Sequence, residues 1–292
     1  MELITPNGTE QLIRDLVHER TGMLYADDKS NLLLEKISPL VIERGFDSFL
    51  DYYYLLKYDP NADEEWRTLV DAISVQETFF WREVDQIKAL VDVLVPEWVS
   101  QGKASPLRIW CAACATGEEP LSIAMALTEA GWYNRIQIEI NATDMSDAAL
   151  RKAKAGVFRE RSFRNLPHGM RDRYFHQEDL VWRVNPVLHH RVTWQKANLV
   201  NRSEIALHAR VPFIFCRNVF IYFSSDMIRR VVKTFADMAE TGAHLFVGVS
   251  ESLLQITNDF ELTDIGNAFV YKLVRARGAS GSLRAPFIAA TK

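Results

Sequence analysis

Residues Leu107 to Leu127, LRIWCAACATGEEPLSIAMAL, contain three signals in succession. Leu107 to Cys111 is a short, largely apolar run of the kind that forms a buried strand. Ala112 to Gly117 is a loop of small residues. Glu118, Glu119 and Pro120 then open an apolar helix through Leu121, Ile123, Ala124, Met125 and Leu127. Proline suits a first helical turn, where its missing N–H would have been unpaired anyway. Strand, tight turn and helix predict the first unit of a nucleotide-binding α/β domain, with the ligand at the carboxyl end of the strand.

The loop also narrows the ligand. Gly117 is its only glycine, and two carboxylates stand where a phosphate binder presents bare N–H groups. A pyrophosphate would be repelled there. A nucleoside bearing a positive charge at its other end would be attracted, and S-adenosylmethionine, with its sulfonium and amino groups, has that form.

A chain of 292 residues corresponds to about two domains. With 48% hydrophobic and 25% charged residues it can bury a core and stay in solution. It has no apolar run of roughly 18 residues, so no membrane insertion is expected. MELITPNGTEQ lacks the basic and apolar regions of a signal peptide, and 3 cysteines cannot all pair. Both point to a cytoplasmic protein. Residues 1–75 hold 7 Lys+Arg against 15 Asp+Glu, a balance of −8, and the remainder balances at +4. Neither part has the clustered basic surface of a nucleic-acid binder.

Ahead of the motif, residues 1–75 predict a small helical domain. Leu12, Ile13, Leu16 and Val17 recur at helical spacing, as do Leu33, Leu34, Ile37 and Val41. A third helix spans roughly 46–57, with Asp47 or Ser48 as its cap, and a fourth runs near 64–74. No Gly- or Pro-rich linker follows, so this bundle should pack on the larger domain. Thr78-Phe79-Phe80-Trp81-Arg82 admits two readings: an elbow between domains with Arg82 stacked on Trp81, or a ligand-facing Arg82 held by aromatics. An amphipathic helix through Ile87, Leu90, Val91 and Leu94 comes next.

After the motif, strand and helix alternate as far as residue 274, so the larger domain is read as residues 76–274. Arg135 to Ala142 predicts a second strand ending in Thr143-Asp144, then a helix from Asp147 to Ala155 closed by Gly156. In doubly wound nucleotide folds an acid at the end of the second strand receives ribose hydroxyls, and Asp144 holds that position. It could also cap the next helix. Residues 158–195 interrupt the alternation with a basic, irregular run and short strands at 180–184 and 191–195, read as an inserted β subdomain. A strand from Val211 to Cys216, the polar pair Arg217-Asn218 and a second apolar run, Val219 to Phe223, follow. Ser224-Ser225-Asp226 should cap a helix that stops by Gly242. A strand at 244–249 and a hairpin of 260–262 with 268–274 should close the sheet. Residues 275–292 are small, polar and basic, expected to be a flexible tail.

Trp110-Cys111-Ala112-Ala113-Cys114 matches a dithiol redox pattern. The helix begins too late to stabilise a Cys111 thiolate, and neighbouring carboxylates would raise a thiol pKa. Zinc is poorly served as well, with Cys216 the only other thiol. No metal site is expected.

The strings TFFWRE, RIWCAACATGEEPLSIAMAL, NATDMSDAALRKAKAGVFR, ANLV, FIFCRNVFIYFS and LFVGVSESL, in this order, resemble the CheR-type chemotaxis receptor methyltransferases over roughly residues 10–274. The resemblance implies a Rossmann-like α/β methyltransferase domain, a small all-α N-terminal domain and a small inserted β subdomain. It implies methyl transfer from S-adenosylmethionine to glutamate side chains on chemoreceptor cytoplasmic helices, by an enzyme expected to be a monomer. By position, Gln76, Thr78, Arg82, Glu118, Asp144, Asn198, Leu199, Arg217 and Asn218 are the implied cofactor contacts, and Arg82 with Tyr222 the implied pair beside the transferring methyl group. The family usually has Asn where Gln76 stands. Some members grip a receptor pentapeptide with a Gly-rich loop in the insert, but the run Tyr174-Phe175 to Val184 has no glycine, so no such tether is expected. The family's N-terminal domain often offers a basic helix to its receptor; here Lys29, Lys36 and Arg44 could share such a face. Other readings are a small-molecule carboxylate as acceptor, a cofactor-binding regulator without turnover, and redox chemistry at Cys111 and Cys114.

Overall fold

The run LRIWCA forms β1 (Leu107–Ala112), buried on both faces except at Arg108. Such a strand needs cover above and below, and it sits at the centre of a mostly parallel sheet. The computed structural model describes residues 3–26, 29–103 and 106–274. The other strands are β2 (Ile138–Asp144), β3 (Val157–Phe158), β4 (Phe175–Glu178), β5 (Val181–Val184), β6 (Val192–Lys196), β7 (Phe213–Phe215), β8 (His244–Phe246), β9 (Phe260–Ile265) and β10 (Ala268–Leu273). Seven of them form one sheet in the order β6-β2-β1-β7-β8-β10-β9. β10 runs antiparallel to both its neighbours. From β1 the chain winds outward through β2 to β6, then crosses to β7 on the other side of β1. This reversal opens a crevice at the carboxyl ends of β1 and β7.

Period-two alternation along β1 feeds two cores. Ile109 and Cys111 pack with Leu121, Met125, Leu90 and Phe246 on one face. Trp110 and Ala112 pack with Ile214, Val231, Phe235 and Leu245 on the other. The buried Trp110 ring still needs a partner for its N–H, and it donates to Thr143 Oγ1 at 3.0 Å. The helix from Ser225 to Met238 is capped by Ser224, whose hydroxyl accepts from Met227 N. The apolar run after Asn218 is a 3-10 turn, Phe220–Tyr222, and not an extension of β7.

β3, β5 and β4 make a separate antiparallel sheet. The strand expected at 191–195 is β6, and it pairs parallel with β2 at the edge of the main sheet, not within the small one. Glu178 and Val181 are paired, so only Asp179 and Leu180 form the turn between β4 and β5.

The N-terminal bundle consists of α1 (Thr9–Thr21), α2 (Ser30–Glu43), α3 (Phe49–Tyr58) and α4 (Asp63–Ile73). Its core includes Ile13, Val17, Leu33, Ile37, Tyr52 and Leu69. Ser48 caps α3 by accepting from Leu50 N. Of the three residues that could share a basic face, Lys29 is exposed while Lys36 and Arg44 are partnered within the bundle. Lys36 Nζ turns inward to Ile73 O at 3.0 Å, and Arg44 pairs with the buried Glu65.

This bundle is docked on the sheet domain by polar contacts. Asp71 of α4 accepts from Ala148 N and Ser146 Oγ at the start of the helix Asp147–Ala155, where a carboxylate is favoured by the helix dipole. Met23 bridges antiparallel to Phe223, and Leu24 N donates to Tyr222 O at 2.7 Å. Gly22, at φ +80°, makes this approach possible: a Cβ there would lie 2.8 Å from Phe223 and from Val200. Among the described residues no helix is long and apolar enough to cross a membrane. The tail expected to be flexible, 275–292, lies outside the described residues.

Candidate active site

The loop after β1 is wound tightly. Ala113, Ala115 and Gly117 all adopt left-handed backbone, at φ +59°, +48° and +98°. A Cβ at Gly117 would meet the Trp194 ring at 2.7 Å, so this position requires glycine. The end of β2 holds the loop: Ala115 N donates to Asp144 Oδ2 at 2.9 Å, and Asp144 Oδ1 accepts from Ser146 N at 2.8 Å. Burial pushes the Asp144 carboxyl up, against the backbone N–H groups that favour its charge. Asp144 does not cap the following helix; Ser146 does, accepting from Ala149 N.

An open cavity of about 1030 Å³, its solvent-filled mouth included, lies over this loop. Its wall brings together residues from widely separated stretches of sequence. Gln76, Thr78 and Arg82 come from the segment joining the two domains, and Asp144 from β2. Asn198 and Leu199 follow β6; Arg217, Asn218 and Tyr222 follow β7. Thr21 and Met23 reach in from the N-terminal domain. These two carry no sequence signal, because only domain docking brings them there.

Glu118 is the exception. It is buried behind the wall, with its two oxygens accepting from Thr116 Oγ1 at 2.6 Å and Ser162 Oγ at 2.9 Å. The lining carboxylate is its neighbour Glu119. Successive helical residues point about 100° apart, so only one of the pair can face the cavity. Sequence reasoning saw both acids and carried forward the one that faces away.

Glu119 belongs to a buried charge cluster. Arg217 Nε lies 3.3 Å from Glu119 Oε2 and 3.5 Å from Glu83 Oε2, with the Arg217 side chain 2% exposed. Arg217 Nη2 donates to Arg82 O at 2.6 Å. Its Nε and Nη1 find no hydrogen-bond acceptor among the described residues. Burial, with Glu83 and Glu251 nearby, pushes the Glu119 carboxyl up to about 7, although Arg217 and Arg82 pull the other way. An unsatisfied buried guanidinium beside such a carboxyl suits a ligand carrying a carboxylate and an ammonium on one carbon.

Asn218 stands at φ +59° and donates from Nδ2 to Glu83 Oε1 at 3.3 Å. Glu251 anchors its turn, accepting from Asn218 N, Gly248 N and Ile221 N. Glu83 and Glu251 lie inside the strings TFFWRE and VGVSESL, but no spacing rule marks them as supports of Arg217 and Asn218.

In TFFWRE the two readings divide between residues. Phe80 is fully buried against Phe158, Phe163 and Phe175, and is the elbow. Arg82 faces the cavity, donating from Nη1 to Glu77 O at 3.2 Å. It lies over the ring of Phe79, 5.5 Å from its centre, and not on Trp81. Burial raises the Tyr222 hydroxyl pKa, while the charge of Arg82 opposes that rise. Asn198 Nδ2 donates to Arg20 O, and Gln76 Oε1 accepts from Lys152 Nζ. Cys111 and Cys114 are free and buried, Cys114 at the floor of the cavity, and burial pushes both thiols up, which disfavours the thiolate a redox site needs.

The model of the CheR methyltransferase SAM-binding domain matches residues 76–269, and that of the CheR methyltransferase all-alpha domain matches residues 10–74. A chemotaxis protein methyltransferase of Klebsiella aerogenes is 33% identical over 256 residues, covering 86% of this chain and 85% of that protein. Chemotaxis protein methyltransferase 2 of Vibrio cholerae is 31% identical over 252 residues, covering 85% and 87%. A chemotaxis protein methyltransferase of Borreliella burgdorferi is 30% identical over 256 residues, covering 86% and 89%.

Proposed function

The chain belongs to the CheR methyltransferase family, and from that membership we propose that it esterifies glutamate side chains on chemoreceptor cytoplasmic helices. Its cofactor is S-adenosyl-L-methionine, and the reaction serves chemotaxis. The proposed setting is the cytoplasm. The two-residue turn at Asp179-Leu180 supports docking without a pentapeptide tether. The observation that carries the reading is the meeting of Arg82 and Tyr222 on one cavity wall beside the Arg217–Glu119 pair.

In this reading Arg217 holds the cofactor carboxylate, Glu119 its ammonium, and Asp144 the ribose hydroxyls. Gln76, Thr78, Asn198, Leu199 and Asn218 complete the cofactor wall. Glu118 acts from behind it by fixing Thr116 and Ser162. Bound there, S-adenosylmethionine supplies a methyl carbon made electrophilic by its sulfonium. A glutamate acceptor has a pKa of about 4.3 and is already ionised at neutral pH, so no residue need act as base. Arg82 and the Tyr222 hydroxyl, which burial keeps protonated, orient the acceptor carboxylate. An angled contact leaves one oxygen lone pair free to attack, which a two-pronged guanidinium grip would blunt. Thr21 and Met23 keep water from the reacting end.

The direct test incubates the purified protein with methyl-tritiated S-adenosylmethionine and receptor cytoplasmic fragments. Base-labile label on receptor glutamates is the expected result. Label elsewhere, or label stable to base, would overturn the acceptor assignment.

The raised Glu119 pKa sets a second expectation. An ammonium ligand needs Glu119 ionised, so affinity for S-adenosylhomocysteine should fall as pH drops through about 7. The slope should approach about tenfold per pH unit on the acid side. Without ligand the linkage has the opposite sense. The folded state holds a proton that the unfolded state has released between 4.5 and about 7, so this group's contribution to stability falls as pH rises through that window. Glu119→Gln should flatten the affinity profile, read by calorimetry across pH. A Glu119→Gln profile as steep as wild type would remove Glu119 from the ammonium site.

A further inference from the structure

Tyr222 closes the 3-10 turn Phe220–Tyr222, which lies outside the sheet. Within its own domain the turn is held by Ile221 N, which donates to Glu251 Oε1 at 3.3 Å. Two further bonds, Tyr222 N to Val219 O and Phe223 N to Phe220 O, close it at 3.0 Å each. None of these uses the carbonyl of Tyr222. Bonds in a 3-10 turn are poorer in geometry than those of an α-helix, so a single such turn needs outside support to hold a side chain in place.

The N-terminal domain supplies that support. Leu24 N donates to Tyr222 O at 2.7 Å, and Met23 bridges antiparallel to Phe223. On one flank His18 Nε2 lies 2.9 Å from Ser224 Oγ, two residues beyond Tyr222. On the other, Asn198 Nδ2 of the cofactor wall donates to Arg20 O at 2.7 Å. The strap is held in turn by its own helix: Gly22 N donates to His18 O at 2.8 Å as the cap of α1, and Met23 N to Thr21 Oγ1 at 3.1 Å. Gly22 decides the fit, since at φ +80° a Cβ would stand 2.8 Å from both Phe223 and Val200. Any side chain there displaces the ring next to Tyr222 or lifts the strap from the Tyr222 carbonyl.

We propose that the strap Gly22 to Leu24 positions the Tyr222 hydroxyl, with Gly22 as the positioning residue, so that the helical domain completes the active site instead of only covering it. The proposal rests on the reading in which Tyr222 orients the acceptor carboxylate. Alignment is the main contribution asked of the protein there, and a displacement of about 1 Å costs up to about a hundredfold in rate. The Arg217–Glu119 pair takes its contacts from Glu83 and Arg82, so a shift of the strap leaves the amino-acid end of the cofactor site in place.

The test is a double-mutant cycle in the full chain, with Gly22→Ala and Tyr222→Phe made singly and together. Methyl-ester formation on receptor cytoplasmic fragments gives turnover, and calorimetry with S-adenosylhomocysteine gives affinity. Gly22→Ala should lower turnover about tenfold, with less than about threefold change in that affinity. In the Tyr222→Phe background the same change should cost less than about twofold, because the hydroxyl it misplaces is already gone. His18→Ala releases the Ser224 flank without straining the backbone, and should give a loss of about threefold that also disappears beside Tyr222→Phe. It carries the test if Gly22→Ala does not fold, which calorimetry reports as lost S-adenosylhomocysteine binding. Wild-type turnover in a folded Gly22→Ala, or losses that multiply with that of Tyr222→Phe, overturn the strap and leave the Tyr222 reading standing. A Tyr222→Phe protein with wild-type turnover overturns that reading and the strap with it.

Discussion

Arg217→Ala is expected to destabilise the folded chain by about 3–5 kcal/mol, because it strips the cation from a buried ion cluster and leaves two carboxylates facing each other. The Arg217 side chain is 2% exposed and lies within 3.5 Å of both Glu83 and Glu119. The change also removes the donor to Arg82 O. That carbonyl lies between Trp81 and Glu83, both in left-handed backbone at φ +65° and +51°. Such backbone is strained and persists only where surrounding contacts hold it. The deficit should shrink on acidification, since protonating Glu119 relieves the repulsion. Urea unfolding of both proteins at pH 8 and pH 5.5 gives the measurement. A loss below about 1 kcal/mol at pH 8, or one that grows in acid, would mean that the cluster relaxes by admitting water.

Arg82→Ala should lower turnover about a hundredfold, and Tyr222→Phe about tenfold or more, with less than about threefold change in affinity for S-adenosylhomocysteine. Alignment of the acceptor is the main task left to the protein when neither base nor nucleophile is required, so loss of an orienting group appears in the chemical step. Arg82→Ala keeps the main-chain carbonyl to which Arg217 donates, so the cofactor end stays built. Tyr222→Phe keeps the ring on the wall and the backbone bond from Leu24 N. Calorimetry with S-adenosylhomocysteine beside a methyl-ester assay separates the two effects. Equal losses of affinity and turnover would reassign both residues to cofactor binding.

Local pattern made much of this legible before any coordinates. The apolar run at β1, the small-residue loop and Pro120 specify a strand-turn-helix unit. Its position before a second strand ending in Asp144 specifies the cofactor crevice. Helical spacing marked all four helices of the bundle, and the Ser48 and Ser224 caps follow from hydroxyl chemistry one residue ahead of a helix. These features depend on neighbours within a few residues, which is what a sequence displays.

The sequence by itself therefore determined the α/β architecture with its helical N-terminal domain and the cationic nucleoside ligand. Only the tertiary structure decided that Glu119 and not Glu118 lines the cavity, and that Lys36 and Arg44 are spent within the bundle. It alone brought Thr21 and Met23 over the site and set Arg164 beside Arg82 on Phe79. The physical reason is the same in each case. The direction of a side chain at the end of an element, and the partner that takes its charge, are set by packing between segments far apart in the chain, and local periodicity does not encode that packing.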